Sequence, residues 1–509
     1  MVDIERIDDI GVARQVMRLL LAENERLHKR LAELTTQLAG LQNKDGAQQL
    51  SLEIARLQEQ MADLQRRLFA ASTERRAGED ESKPANKPKK RKRGHGPTQQ
   101  LALAVQEVRH VLDDGSMGCP TCKGQLEPMS GCTEDSELIT VVRRQFVLQT
   151  HKRQKYRCRC NAAVVTAPGP VKLIPGGRYS LEFAAAIAID KYVDAMPLTR
   201  QARVMTRQGL VVTSQVLWDQ LDALAHVLEP CYRALGLWIR EVHEVLGADE
   251  TKWLLMDKRG SQAWWVWSLT SRLAAYYLLD PDRSAAAAKE LLADFAGVLV
   301  VDGYAAYPAA LRHLAHVTLA YCWSHVRRYF VEAEKAAPAQ AKEAVDMLRE
   351  LFMLERQVPW IPTDPWEEYE ASLITRARVR AEQSQPLVDE FVAWCRSQTA
   401  LPRSKLAKAI GYVLDKDREN AKPALRVFLH DPRVPIHNND TERALRNVVL
   451  GRKNHYGSRS VRGTEVAALF YSLCETALIQ GVDPAAYLVE AATTELRRPG
   501  TALLPHQLK

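Results

Sequence analysis

The chain has 509 residues, 46% hydrophobic and 7% aromatic, which excludes a disordered or fibrous protein and predicts about three or four domains rather than one core. Lys and Arg exceed Asp and Glu by 8, a mild bias that names no partner by itself; what a polyanion feels is the local concentration of charge. No apolar run is long enough to span a bilayer, and the acidic opening MVDIERIDDI lacks the apolar region of a secretory leader. Five of the nine cysteines (Cys132, Cys231, Cys322, Cys395 and Cys474) stand singly, which suits a reducing interior, so a cytoplasmic protein is expected.

The first predicted element, over 1–75, is a coiled coil. Leu20, Leu27, Leu34 and Leu41 recur at sevens as d positions, with Met17, Asn24, Leu31 and Leu38 as a positions. A lone Asn at a fixes register and favours a parallel pair of strands, so a dimer through this helix is expected. After the interruption KDG at 44–46 the pattern resumes with Leu50, Leu57 and Leu64 as d and Ile54, Met61 and Leu68 as a. The alternative is an amphipathic helix folded back on its own domain.

A basic linker over 76–110 follows. It contains Lys89, Lys90, Arg91, Lys92 and Arg93 among prolines, with no acid from 83 to 97. Such a stretch cannot bury a core; it is either a phosphate-contacting arm, releasing counterions from a nucleic acid, or a solvated tether. Over 111–168, Cys119-x2-Cys122 and Cys158-x1-Cys160 offer four thiolates for a tetrahedral structural Zn²⁺. The second spacing is tighter than usual, and Cys132 is an alternative ligand. Arg143, Arg144, Lys152, Arg153, Lys155, Arg157 and Arg159 crowd this module, which either reads DNA or merely staples a small domain. Residues 169–245 read as helical. Within 197–221 one helix ends near Gly209 and Thr213 or Ser214 can cap the next, as in a helix-turn-helix, although two helices joined by a Gly turn are common in any helical domain.

From 246 the period changes. VLGADETKWLLMD, QAWWVWSLTS and RLAAYYLLD read as a three-stranded meander. A helix opened by Ser284, a short buried strand GVLVVDGY, a helix at 308–315 and a strand HVTLAYCW follow. The order β-β-β-α-β-α-β matches the ribonuclease H-like fold, a mixed sheet presenting acids from its first and fourth strands. The predicted architecture is therefore multidomain α/β: a ribonuclease H-like mixed-sheet catalytic domain in two parts (246–325 and 436–475), a helical insertion (326–435) and a C-terminal helical cap (476–509).

Asp249 lies on the first of these strands, and Asp302 ends the fourth, followed by Gly303. An acid closing an apolar strand is costly to bury unless paired or coordinated. One such Asp alone would read as a turn former; two at these topological positions point to a shared metal. The third acid should follow the insertion, in IHNNDTERALRNVVLGRKNHYGSRS at 436–460. Asn438, Asn439 and Asp440 are N-cap types, placing Glu442 in the first turn of a helix, where its charge also suits the helix dipole. Asp440 and Glu465 are competitors that spacing does not exclude. The cationic strip beyond it, with Arg443, Arg446, Arg452 and Lys453, suits phosphodiester backbone. Three carboxylates are hard oxygen ligands for two Mg²⁺ or Mn²⁺ ions, which in such pairs activate a water or a 3′-hydroxyl and stabilise the leaving oxygen.

With these residues in place, the chain resembles transposases of the bacterial insertion sequence sixty-six family, DDE-type enzymes. The resemblance rests on KYVDAMPLTRQ (191–201), ADET (248–251), DGYAAY (302–307), CWSHVRR (322–328) and NNDTERALRNVVLGRKN (438–454). It implies that Asp249, Asp302 and Glu442 are the catalytic triad, with Glu442 preferred over its neighbours, and that the paired cysteines bind zinc. Cys322-x2-His325 looks like the C/D-x2-H motif of several DDE groups and is expected to support the active site. The resemblance also implies metal-dependent 3′-end cleavage and strand transfer, recognition of terminal inverted repeats in double-stranded DNA, oligomeric assembly on two transposon ends, possible small accessory proteins of the same element, and a nucleoid-associated location. Two other readings compete: a DNA-binding regulator that lost catalysis, against which all three acids are present, and a junction resolvase of the same fold, which the zipper, cysteine module and long insertion fit poorly.

Overall fold

The structure is a computed structural model that describes Thr121 and residues 145–157, 164–257, 260–312, 314, 316–357, 366–418 and 424–508. The expected coiled coil, the basic linker and Cys119, Cys122, Cys158 and Cys160 lie outside the described residues. The two short strands β1 (Lys155–Arg157) and β2 (Val164–Thr166) pair antiparallel with Tyr156 opposite Val165.

Three helices come next. The first, α1, is Leu181–Tyr192, capped by Ser180, whose hydroxyl accepts from the Phe183 amide. The second, α2 (Leu198–Arg207), stops before Gly209, where φ is +90°, a conformation glycine takes without steric cost. The third, α3 (Ser214–Val242), starts at Thr213, whose side chain accepts from the Val216 amide. The turn chemistry expected from the sequence is thus present, and Leu217, Leu221, Leu224 and Leu228 bury one face of a 29-residue helix.

The centre of the chain is a five-stranded mixed sheet. Strands β3 (Val245–Asp257), β4 (Gly260–Thr270) and β5 (Ala275–Asp280) form an antiparallel meander. Helix α4 (Ala285–Leu292), capped by Ser284, leads to β6 (Gly297–Val301), and α5 (Ala306–Leu311) leads to β7 (Val317–Tyr321). The order across the sheet is β5-β4-β3-β6-β7, with β3–β6 and β6–β7 parallel. The predicted element order holds; the last of these helices begins and ends earlier than the expected 308–315.

An edge strand with bare backbone groups is a template for unwanted pairing. Here helix α13 (Val461–Ile479) covers the edge chemically: Ser472 Oγ accepts from the Tyr277 amide at 2.8 Å, and Thr476 Oγ1 accepts from the Ala275 amide at 3.1 Å while donating to the Ala275 carbonyl at 2.9 Å. All these groups are buried, so each unmade bond would carry the full desolvation penalty. The C-terminal α14 (Pro484–Arg497) packs on α1 and α3.

The insertion is helical as expected. It comprises α6 (Trp323–Ala333), α7 (Pro338–Gln357), α8 (Trp366–Val379), a five-residue π segment (Arg380–Ser384), α9 (Gln385–Ser397), α10 (Lys405–Arg418) and α11 (Val427–His430). Its two ends meet where it leaves the sheet. The Tyr321 amide donates to the Ala424 carbonyl at 3.1 Å, and the Trp323 amide to the Ile436 carbonyl at 3.0 Å. Arg380 at the start of the π segment is fully buried and fixes the return path. It donates to both carboxylate oxygens of Glu355 at 2.8 Å and to the carbonyls of Phe428 and Asp431 at 2.6 and 3.0 Å. Arg376 adds bonds to Glu355 and to the Pro432 carbonyl. Among the described residues no helix is long and apolar enough to cross a membrane.

Candidate active site

The parallel pairing of β3 with β6 sets Val245 against Val298, Leu246 against Leu299 and Gly247 against Val300. Two positions further along this register, Asp249 on β3 comes level with Asp302, just beyond the end of β6. Side chains alternate along a strand, so both aspartates belong to the face that carries Gly247 and Val300. Asp302 is also the carboxylate that raises the Asp249 pKa most, so the two acids lie close enough to repel one another.

Each aspartate is held by its own backbone. Asp249 Oδ1 accepts from the Glu250 amide at 2.8 Å, and its carbonyl accepts from Ser268 Oγ at 2.9 Å. Asp302 Oδ1 accepts from the Tyr304 amide two residues on, at 2.8 Å, a local bond that Asp forms readily at a strand end. Its carbonyl accepts from Tyr412 Oη at 2.7 Å. Gly303 follows with φ +95°, and a Cβ there would meet Tyr412 Oη at 2.6 Å, so this turn demands glycine twice over.

Glu442 arrives from the other side of the insertion, in the first turn of α12 (Asn439–His455). Of the three N-cap types in the sequence (Asn438, Asn439 and Asp440), Asn438 occupies the N-cap position, but its side chain makes no capping bond. Instead Nδ2 donates to the Ala248 carbonyl at 2.9 Å, and Oδ1 accepts from Thr441 Oγ1 at 2.6 Å. The Asn438 amide donates to Cys322 Sγ at 3.2 Å, and Thr441 Oγ1 lies 2.6 Å from Thr270 Oγ1. This close docking of helix on strand needs Gly247, because a Cβ there would sit 2.1 Å from Thr441 Oγ1 and 2.5 Å from Asn438 Oδ1. Farther along α12, Arg452 donates to Thr251 Oγ1 at 3.1 Å and to the Lys252 carbonyl. The helix is therefore tied to β3 at both ends of its run past the aspartates.

The Glu442 carboxylate meets two groups from α6. Arg328 Nη2 lies 3.4 Å and His325 Nε2 3.8 Å from its Oε1. The competing acids point elsewhere: Asp440 is 69% exposed and paired with Arg443, and Glu465 is 57% exposed and paired with Arg462. Cys322 is buried, and burial raises its thiol pKa, so it holds the start of α12 as a thiol. Burial first, and then Arg328, pull the His325 pKa down, and its Nδ1 is buried with no hydrogen-bond partner among the described residues.

Burial and neighbouring acids dominate the electrostatics at Asp249. Burial pushes this carboxyl up to about 8, with Asp302, Glu250 and Glu442 each adding repulsion and only the Glu250 amide opposing. Like charges gathered in a half-buried site favour the neutral acid or a bound cation. Among the described residues no three His, Cys, Asp or Glu side chains converge closely enough to cage a metal by themselves. The donor set nevertheless fits a hard divalent ion: two level carboxylates with Glu442 close enough to repel Asp249 suit Mg²⁺, which keeps waters and substrate phosphate in its shell.

Of the other residues singled out in the sequence, Arg443, Arg446 and Lys453 lie exposed along α12, whereas Arg452 turns inward onto β3. Sequence reasoning passed over Glu250, Arg283, Tyr304, Tyr307 and Arg328. The signals were present in ADET, DGYAAY and the paired arginines of CWSHVRR, but an acid beside a catalytic candidate carries no mark of which face it serves.

The profile described as "Transposase IS66 family" matches residues 176–466, a span that includes both aspartates and Glu442. Three uncharacterized proteins of Sinorhizobium fredii (strain NBRC 101917 / NGR234) are similar to the chain. The protein y4jD is 30% identical over 400 residues, 75% of each chain. The protein y4qI is 28% identical over 508 residues, covering 95% of this chain and 89% of its own. The protein y4hP is 28% identical over 424 residues, 78% of this chain and 74% of its own.

Proposed function

The chain belongs to the transposase IS66 family, and from that premise we propose that it cuts and joins DNA at a divalent-metal centre formed by Asp249, Asp302 and Glu442 on a ribonuclease H-like sheet. The observation that carries the reading is the register of β3 and β6, which runs toward Asp249 and Asp302 side by side, with Asp302 the acid that repels Asp249 most strongly. Mg²⁺ or Mn²⁺ ions bound there would supply Lewis-acid stabilisation of the attacking and leaving oxygens.

The protein's own residues do the rest. Asp249 and Asp302 are fixed by the Glu250 and Tyr304 amides, so the carboxylates need little reorganisation when DNA binds. Glu442 is delivered by a helix start locked to β3 through Asn438 and to Thr270 of β4 through Thr441, and orients the attacking group. Arg328, about half exposed beside Glu442, takes an oxygen of the scissile phosphate. Water attacks the phosphorus at the end of the element, releasing its 3′-hydroxyl; that hydroxyl then attacks a target phosphodiester and displaces the target's 3′ oxygen.

The remaining assignments rest on the sequence. Cys119, Cys122, Cys158 and Cys160 hold a structural Zn²⁺, the heptads of 1–75 pair two copies, and Lys89–Arg93 with Arg443, Arg446 and Lys453 contact the DNA backbone at terminal inverted repeats and target. Small proteins of the same element are further partners. The reading is tested by strand transfer from a labelled transposon-end duplex in Mg²⁺. Wild type joins the end to target DNA and Asp302→Ala does not; joining by Asp302→Ala at the wild-type rate would overturn the assignment.

A further inference from the structure

Behind the two aspartates a buried acid has no place in the chemistry above. Glu250 follows Asp249 on β3, so its side chain leaves the opposite face of the strand, where it is 1% exposed. A buried carboxylate needs strong, complete pairing, and Glu250 has it. Arg283, from the loop between β5 and α4, donates to Oε1 through Nε at 3.0 Å and Nη2 at 2.5 Å; Tyr307 of α5 donates its hydroxyl to Oε2 at 2.7 Å. The Arg283 guanidinium is sandwiched against aromatic rings, 3.8 Å from the Tyr304 centroid and 4.8 Å from that of Trp265. The Tyr304 hydroxyl donates to the Arg283 carbonyl at 2.8 Å.

These contacts close a circuit. Asp249 Oδ1 is held by the Glu250 amide, Glu250 by Arg283, Arg283 by Tyr304, and the Tyr304 amide holds Asp302 Oδ1. The β3–β6 ladder itself stops at Gly247 and Val300, short of both aspartates, so strand pairing alone does not fix their separation. We propose that the Glu250–Arg283–Tyr304–Tyr307 network is a positioning clamp that sets the spacing of Asp249 and Asp302 for the divalent ion. Glu250 is therefore a positioning residue that never touches metal or substrate. The proposal rests on the metal-centre reading above.

Outer groups that orient metal ligands typically change metal affinity by about 10–100-fold when removed, and that is the effect expected here. The experiment follows thermal unfolding of the full chain during Mg²⁺ titration, for wild type, Tyr307→Phe, Glu250→Gln and Asp302→Ala. The wild type is expected to be stabilised by Mg²⁺, and Asp302→Ala to lose that response. Tyr307→Phe and Glu250→Gln should need about 10-fold or more Mg²⁺ for the same shift, with Mn²⁺ restoring part of it. Tyr307→Phe keeps the ring and its packing, so it carries the test if Glu250→Gln fails to fold. A purely structural role would lower the unfolding temperature without changing the Mg²⁺ dependence, and that result overturns the clamp alone. An Mg²⁺ response that is absent in wild type or intact in Asp302→Ala overturns the centre, and the clamp with it.

Discussion

Asp249 and Asp302 stand level with one another just beyond the hydrogen-bonded ladder of two parallel strands, each with Oδ1 held by a backbone amide. This relationship brings two acids close enough to repel one another at Asp249.

The first concerns pH. In the folded chain Asp249 keeps its proton up to about 8, against an ordinary value of 3.8. Between those values the folded state binds more protons than the unfolded one, so stability falls as pH rises. The contribution is complete below the ordinary carboxylate value and is lost as pH passes through the folded value. Asp249→Asn has no proton to release. In chelator its unfolding temperature should decline less than that of wild type across this window, and parallel curves for the two proteins would contradict the assignment.

Gly247 is the contact point between β3 and α12. A Cβ there would overlap Thr441 Oγ1 and Asn438 Oδ1, and forcing extra volume into a packed interface costs about 1–3 kcal/mol. Gly247→Ala is expected to lower stability by that amount in denaturant melts, and to depress cutting more strongly because it displaces the helix start that carries Glu442. Retention of full cutting activity would show that this docking does not position the acid.

Arg380 and Glu355 make a buried pair whose hydrogen bonds reach the backbone at Phe428 and Asp431. Removing one partner of such a pair typically costs about 3–5 kcal/mol. Arg380→Ala and Glu355→Ala should each fall in this range by chemical denaturation, while the double change to apolar residues recovers part of the loss. A single variant unfolding at the wild-type denaturant concentration would show that this pair does not hold the insertion's return path.

Arg328 differs, being 53% exposed opposite Glu442 at 29%. Exposed pairs contribute about 0–1 kcal/mol, so Arg328→Ala should leave stability nearly unchanged. Removing a group that stabilises developing charge costs about 100-fold or more in rate. The expected signature is therefore an intact melt with a severe loss of cleavage; normal cleavage would remove Arg328 from the phosphate.

How far the sequence reveals this arrangement differs by element. The strands were legible because apolar and alternating runs broken by polar turns have few other interpretations, and the order of strands and helices places Asp249 and Asp302 on neighbouring strands. Glu442 was legible only as a residue in a first helical turn, since capping preference and dipole complementarity explain an acid there equally well. What separates it from Asp440 and Glu465 is three-dimensional: those two point to solvent with arginine partners. Asn438, one of three N-cap types in the sequence, does sit at the N-cap, but its side chain bonds to β3, because Gly247 lets the helix approach more closely than any sequence pattern announces. The clamp around Glu250 draws on residues 33 and 57 positions away, beyond the reach of local periodicity.

In the proposed centre Asp249 and Asp302 bind one divalent ion between them. Anomalous diffraction from crystals of the protein grown with Mn²⁺ tests it directly. An anomalous peak is expected between the carboxylates of Asp249 and Asp302, and none in crystals of Asp302→Ala. A peak elsewhere with none at these two side chains, or a bridging peak that survives Asp302→Ala, would contradict it.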